Sequence, residues 1–316
     1  MAILSVPTAN TSEMSSSSSQ LQAAFEPSQF FYNINWRSKS YHAGATLTTH
    51  HGNGSDFAGF ASLLACPDPK RIDIRASVRT VPRQWLVRTY LERAAVRVYA
   101  IIDVSSSMFF QGEANMRQQV TEFVSSLAWS ANRQGDAFGM RAADDHEQLA
   151  LQVLPSFQPG TAQAVAQQIT RYWQQAETMS RADGRSANAI PETLMSLGSQ
   201  RALVFLLSDF YWSDALLQQT LQAGQHHDVI PVVLRDRTAT AGLPSFGWAR
   251  LRDMETGEER SWMLRRKLHQ QIADHAKQQK NTLNARFLTA GTRAPLWLNP
   301  GWRAEEVSRH LMESMS

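Results

Sequence analysis

Two apolar runs in this chain each end in an aspartate, and that pairing constrains the fold more than any other feature. Residues 96–102 are almost continuously apolar and lead into Asp103, and residues 201–207 do the same before Ser208 and Asp209. Runs without a period-two alternation predict strands covered on both faces, as in a parallel sheet between two layers of helices. Helical stripes separate such runs. Met116, Val120, Phe123, Val124, Leu127 and Ala131 line one side of a helix over 113–134. Val165, Ile169, Tyr172 and Trp173 line another after Pro159-Gly160-Thr161, and a third helix is predicted over 214–223. Further strands are predicted at 136–142, 149–154, 228–236 and 285–291 (ARFLTAG), with helices at 264–281 and 304–314. Repeated alternation of this kind gives an α/β fold: a doubly wound, Rossmann-like, mostly parallel sheet.

The first third reads differently. Residues 1–29 are rich in Ser, Thr and Gln and bury too little apolar surface to offset their ordering, so a mobile tail is expected. A smaller β-rich region is predicted over 30–94. Within it, RIDIRASVRTV (71–81) alternates polar and apolar side chains, which predicts a half-exposed strand. Its wet face would carry Arg71, Arg75 and Arg79, read as either a solvated row or a protein-docking face. HHGNGSDF (50–57) predicts a turn around Gly52 and Gly54. The remainder, 95–316, forms the main domain, with a hairpin insertion near 245–264 turning at Glu255-Thr256-Gly257.

Composition narrows the function classes. At 316 residues, 43% hydrophobic and 19% charged, the chain has enough apolar material for a large core. A single cysteine, Cys66, rules out an internal disulfide and suits a reducing compartment. No run approaches the length of a membrane span, and the N-terminus lacks the regions of a secretory signal, so a cytoplasmic protein with no membrane span is expected. The net charge of +3 is not gathered into one strongly basic patch; Arg265-Arg266-Lys267 reads as a solvated helix face, and nucleic-acid binding is not expected.

The chemistry concentrates at the strand ends. In an open parallel sheet, ligands bind where strands stop at their carboxyl edge. Asp103, Ser105 and Ser107 alternate in AIIDVSSSM (100–108), and Asp209 leaves a second buried strand. Hard oxygen donors converging there suit Mg²⁺, held octahedrally at about 2.0–2.1 Å, with Mn²⁺ or Ca²⁺ as alternatives. An Asx/Ser turn capping the next helix is the plain structural reading of the same residues.

Asp-x-Ser-x-Ser, between a buried strand and an amphipathic helix, resembles the metal-ion-dependent adhesion site of von Willebrand factor A (VWA) domains, over 96–135 and 201–235. The resemblance implies that Asp209 is the second aspartate of the site. It also implies that DGRSANAIPETLMSL (183–197) is the third loop, with Ser186 where the family has threonine and Arg185 where it has glycine. Upstream, GNGSDF, DPKRIDIRASVRT and WLVRTYLER, together with LPSFGWARLRDMETGEE (243–259), resemble the DUF58 family of VWA-like proteins, over about 40–316. Ile74 stands where that family usually has tryptophan. The resemblance implies a metal site of Asp103, Ser105, Ser107, Ser186 and Asp209. It further implies a non-enzymatic, Mg²⁺-dependent protein-interaction module whose partner presents an acidic residue. A MoxR-type AAA+ ATPase acting in chaperone-like maturation or metal insertion is the implied partner.

The alternative from another class is a metal-assisted, phosphatase-like hydrolase at the same edge. It needs a general base or second metal, and no histidine falls at 103–107, 184–188 or 208–212. His226-His227 reads as a surface pair, Cys66 as an idle thiol, and Trp85, Trp129, Trp173 and Trp248 as packing anchors.

Overall fold

The computed structural model describes residues 2–4, 26–34, 36, 43–81, 83–109, 115–178, 184–235, 247–253, 259–264 and 266–314. Its centre is a six-stranded sheet flanked by helices. In chain order the strands are β1 (Ala2–Leu4), β2 (Ala43–Ser62), β3 (Leu86–Ala94), β4 (Arg97–Asp103), β5 (Ala137–Ala143), β6 (Val153–Ser156), β7 (Leu203–Ser208), β8 (Asp228–Leu234), β9 (Gly247–Asp253), β10 (Glu259–Leu264) and β11 (Leu296–Leu298). The helices are α1 (Ile74–Arg79), α2 (Met116–Arg133), α3 (Thr161–Thr178), α4 (Ile190–Met195), α5 (Asp214–Gly224), α6 (Arg266–Thr289) and α7 (Ala304–Glu313). The central sheet runs β11-β8-β7-β4-β5-β6, parallel throughout except for β6.

Both faces of that sheet are covered, as the unbroken apolar runs require. Along β4, Val98, Ala100 and Ile102 enter one core with Val120, Phe123 and Leu127 of α2, Val165 and Ile169 of α3, and Val307 and Leu311 of α7. Tyr99 and Ile101 enter the opposite core with Leu194 of α4, Leu216 and Leu217 of α5, and Leu283 and Phe287 of α6. Strand β7 divides in the same way, Leu203, Phe205 and Leu207 against Val204 and Leu206. A fully buried side chain of this size contributes about 1.5–3 kcal/mol, so these two layers dominate the stability.

Residues 26–34 form an extended strap over the first of these cores. Phe30, Tyr32 and Ile34 are buried in it while Phe31 and Asn33 face out. The strap's amides bond to helix side chains: Ser28 N–H to Ser126 Oγ (3.1 Å), Phe30 N–H to Ser130 Oγ (3.0 Å) and Phe31 N–H to Ser308 Oγ (3.0 Å). The expected tail over 1–29 lies largely outside the described residues, but Ala2–Leu4 is a strand, paired antiparallel with β9. Strands β9 and β10 form the predicted hairpin, Glu259 opposite Arg252; its turn, 255–257, lies outside the described residues.

Five local expectations are overturned. Residues 71–81 are not a strand: a 3₁₀ turn (Pro69–Arg71) leads to α1, because Asp73 caps the helix by accepting from Ala76 N–H (2.9 Å). Residues 50–57 are not a simple turn but part of β2, where His51 and Asp56 both lie opposite Leu91 and the intervening residues bulge out of register. Residues 285–291 are not a strand either. Leu283 and Phe287, four apart, keep the same helical face buried, and α6 runs on until Gly291 adopts φ +77°. The sheet's edge strand is β11 instead. Finally, Trp85 is 58% exposed and no packing anchor, while His227 is buried rather than on the surface.

Candidate metal centre

Strands β4 and β7 are neighbours, Ile102 lying opposite Leu207, so Asp103 and Asp209 leave the sheet side by side at its carboxyl edge. Both carboxylates are buried, as are Ser105 and Ser107. Asp103 is fully engaged. Its Oδ1 accepts from Ser105 N–H (2.8 Å), and its Oδ2 accepts from the Ser208 hydroxyl (2.6 Å) and the Trp212 indole N–H (2.9 Å). Burial raises its pKa, and the hydrogen bonds from Ser105, Ser208 and Trp212 oppose that rise.

Asp209 is provided for differently. Its Oδ1 accepts from Tyr211 N–H (3.1 Å), but its Oδ2 is buried and, among the described residues, no donor meets it with hydrogen-bond geometry, the Ser107 hydroxyl coming only near enough to favour the charged carboxylate. Burial, and next the nearby charge of Asp103, push its pKa up to about 7. The Ser105 and Ser107 hydroxyls stand 3.2 Å apart in the same cluster, and Ser107 moderates the rise at Asp209. Two buried carboxylates with one oxygen unsatisfied form a site short of positive charge.

The backbone here is held out of its relaxed state. Phe210, between Asp209 and the β7–α5 turn, adopts φ +53°, the one positive φ at a non-glycine among the described residues. Its amide donates to Ser208 Oγ (2.8 Å), and its ring packs on Trp212 and Phe287 at 4.8 and 5.1 Å. Packing therefore over-determines a conformation that costs about 1–3 kcal/mol.

A third segment docks on the first. Ser106 N–H donates to Arg185 O, and Arg185 N–H donates back to Ser106 Oγ, both at 2.9 Å. This fixes the loop 184–189 beside the Asp-x-Ser-x-Ser turn. Ser186 donates its amide to Asp145 Oδ2 (3.2 Å), on the β5 side, and among the described residues its loop brings it near without joining it to the carboxylate–hydroxyl network. Asp144, directly after β5, is buried and accepts from His146 N–H and the Gln148 amide. On the far side, Arg235 Nε donates to Asp209 O (3.2 Å), and its guanidinium lies 4.4 Å from the Tyr211 ring centroid.

The donors present fit a small hard cation: the orphaned Oδ2 of Asp209 and the paired hydroxyls of Ser105 and Ser107 are oxygen ligands of the right class, with Asp103 as the charge behind them. Among the described residues no three His, Cys, Asp or Glu side chains are grouped to hold a metal, so a cation here would depend on hydroxyls as much as on carboxylates. Residue patterns alone did not mark Ser208, Trp212, Ser106 or Arg235. The signal for the first two was the serine and aromatic flanking Asp209 in SDFYW (208–212).

A family model described as protein of unknown function DUF58 matches residues 67–282. Among solved structures, the conserved hypothetical protein BatB from Bacteroides thetaiotaomicron aligns at 14% identity, covering 70% of this chain and 99% of its own, with a TM-score of 0.39. An aerotolerance-related membrane protein from Bacteroides fragilis, with multiple mutations to serine, aligns at 12% identity over 70% of this chain and 98% of its own, with a TM-score of 0.38. No curated protein matches the chain. No helix among the described residues is long and apolar enough to cross a membrane.

Proposed function

This chain belongs to the DUF58 family, and from that premise and the strand-edge cluster we propose that it is a non-enzymatic protein-docking module that depends on Mg²⁺. The observation that carries the reading is Asp209 Oδ2, buried and without a hydrogen bond beside a second buried carboxylate and two hydroxyls. Asp209, Ser105 and Ser107 would hold the cation, and the family resemblance adds Ser186 as a further hydroxyl. Bound there, Mg²⁺ supplies a hard positive centre for an oxygen ligand from outside the chain. The chain's own residues do the rest. Ser208 and Trp212 lock the Asp103 carboxylate, Ser106 holds the 184–189 loop, and Arg235 adds a guanidinium beside the site.

A carboxylate on a partner protein is the ligand this arrangement favours, and the motif resemblance to VWA adhesion sites supports it. The same resemblance proposes the partner, a MoxR-type AAA+ ATPase, and a role in maturation or metal insertion of other complexes. Capture of such an ATPase by the purified chain, with Mg²⁺ and with EDTA, tests both parts. Capture that EDTA abolishes is expected; equal capture in both refutes the metal-bridged reading.

A further inference from the structure

Helix α1 is inside out. Its serine, not its isoleucine or valine, faces the protein: Ser77 is buried, its hydroxyl donates to Asp73 O (2.6 Å), and it accepts from Leu86 N–H (2.8 Å). Asp73 is buried too, and its amide donates to Leu86 O (2.8 Å) while Oδ2 accepts from Arg88 Nε (2.7 Å). The apolar positions face water, with Ile74 67% and Val78 64% exposed. Val81 (93%), Trp85 (58%) and Leu64 (96%), in the segments on either side of the Leu63 N–H bond to Trp85 O (2.8 Å), are exposed apolar side chains as well. A helix normally buries its apolar stripe. This one is pinned to β3 by polar contacts that hold the stripe outward.

Charge accompanies the stripe. Ile74 and Val78 make a ridge at i,i+4, and Arg75 and Arg79 make a parallel row one position on. Arg75, Arg79 and Arg83 are exposed, and among the described residues none of the three makes an ion pair. The neighbouring acids are already occupied, Asp68 by Arg71 (3.2 Å) and Asp73 by Arg88 (2.6 Å). We infer that this face docks a protein partner through an acidic amphipathic helix, whose apolar ridge packs on Ile74, Val78 and Trp85 and whose carboxylates meet Arg75 and Arg79. The complementarity of a free arginine row beside an apolar ridge selects an acidic protein surface. A bilayer is disfavoured because interfacial helices present a longer apolar face than two β-branched residues on a six-residue helix. The surface is separate from the strand-edge cluster and needs no metal.

The test uses the full chain and a designed helical peptide with a leucine stripe bordered by glutamates, beside a lysine-bordered counterpart. Fluorescence anisotropy is expected to show binding of the glutamate peptide only, unaffected by EDTA. Ile74→Ser with Val78→Ser, and separately Arg75→Glu with Arg79→Glu, are each expected to weaken it about tenfold or more. Neither pair should lower the melting temperature. Failure of the glutamate peptide to bind, equal binding of the lysine peptide, or a large fall in melting temperature of the serine pair overturns the inference. So does binding to phosphatidylglycerol vesicles, or self-association lost in the serine pair, since each names a different occupant.

Discussion

Asp103 and Asp209 leave adjacent strands with different hydrogen-bonding fates: both oxygens of Asp103 accept, from Ser105, Ser208 and Trp212, while Asp209 keeps one buried oxygen that no donor among the described residues meets with hydrogen-bond geometry. Substitution should separate the two. In Asp103→Asn the amide NH2 must face either the Trp212 indole N–H or the Ser105 N–H, donors that cannot reverse, so the variant should lose about 1–3 kcal/mol. Asp209→Asn removes a repelled, desolvated charge and should melt no lower than wild type in EDTA. Isothermal titration with Mg²⁺ should show binding lost in Asp209→Asn. Thermal melts of both variants, with and without the ion, check the contrast.

The same pair sets a pH dependence in metal-free protein. The Asp209 carboxyl, raised to about 7 from an ordinary value near 4, favours the folded state most while protonated. Its contribution is full below the unfolded value and is lost as pH rises through 7. In EDTA, stability should therefore fall between pH 5 and 8 by roughly 2–4 kcal/mol more than in Asp209→Asn, and saturating Mg²⁺ should reduce that difference. Urea melts across this range, with Asp209→Asn as reference, measure it.

Ser106 holds the third segment in place. Ser106→Ala leaves Arg185 N–H without its buried acceptor, at a cost of about 1–2 kcal/mol. Hydrogen exchange of residues 184–189 should accelerate while the sheet amides stay protected. Uniform acceleration throughout the molecule would show that Ser106 supports the whole fold instead.

The sheet was legible because β4, β7 and β8 are buried on both faces, which no amphipathic alternation can imitate, and because a ligand edge follows from parallel strand direction. That Asp103, Ser105, Ser107 and Asp209 meet at that edge was legible for the same reason. What was missed depends on contacts between segments far apart in the chain. Trp212 reaches Asp103 across 109 positions, and Arg185 reaches Ser106 across 79. Residues 71–81 carry the alternation of a pleated strand and yet form a helix. In α1 one capping aspartate and one buried serine override that pattern, and the apolar side chains that mimicked a buried face lie outside. Residues 285–291 contain the β-prone Phe287 and Thr289, but there the periodic burial of α6 decides the conformation.

The strap makes the last prediction, through Tyr32 and Asp136. The Tyr32 hydroxyl donates to Asp136 Oδ2 (2.6 Å), and Val96 N–H, just before β4, donates to Oδ1 (2.8 Å). Burial raises the Asp136 carboxyl to about 6, with those two donors restraining it. A raised acid stabilises the fold below its unfolded pKa and loses that contribution as pH climbs through 6, here by about 3 kcal/mol. Asp136→Asn keeps an acceptor for Val96 and offers its amide to the tyrosine oxygen, so its stability should vary less between pH 4 and 7 than that of wild type. Tyr32→Phe removes a donor to the charged form and should destabilise the protein more at pH 8 than at pH 4.5. Denaturant melts of the three proteins at both pH values decide it: parallel profiles would mean that Asp136 does not titrate in this range and that the strap is held by Phe30, Tyr32 and Ile34 packing alone.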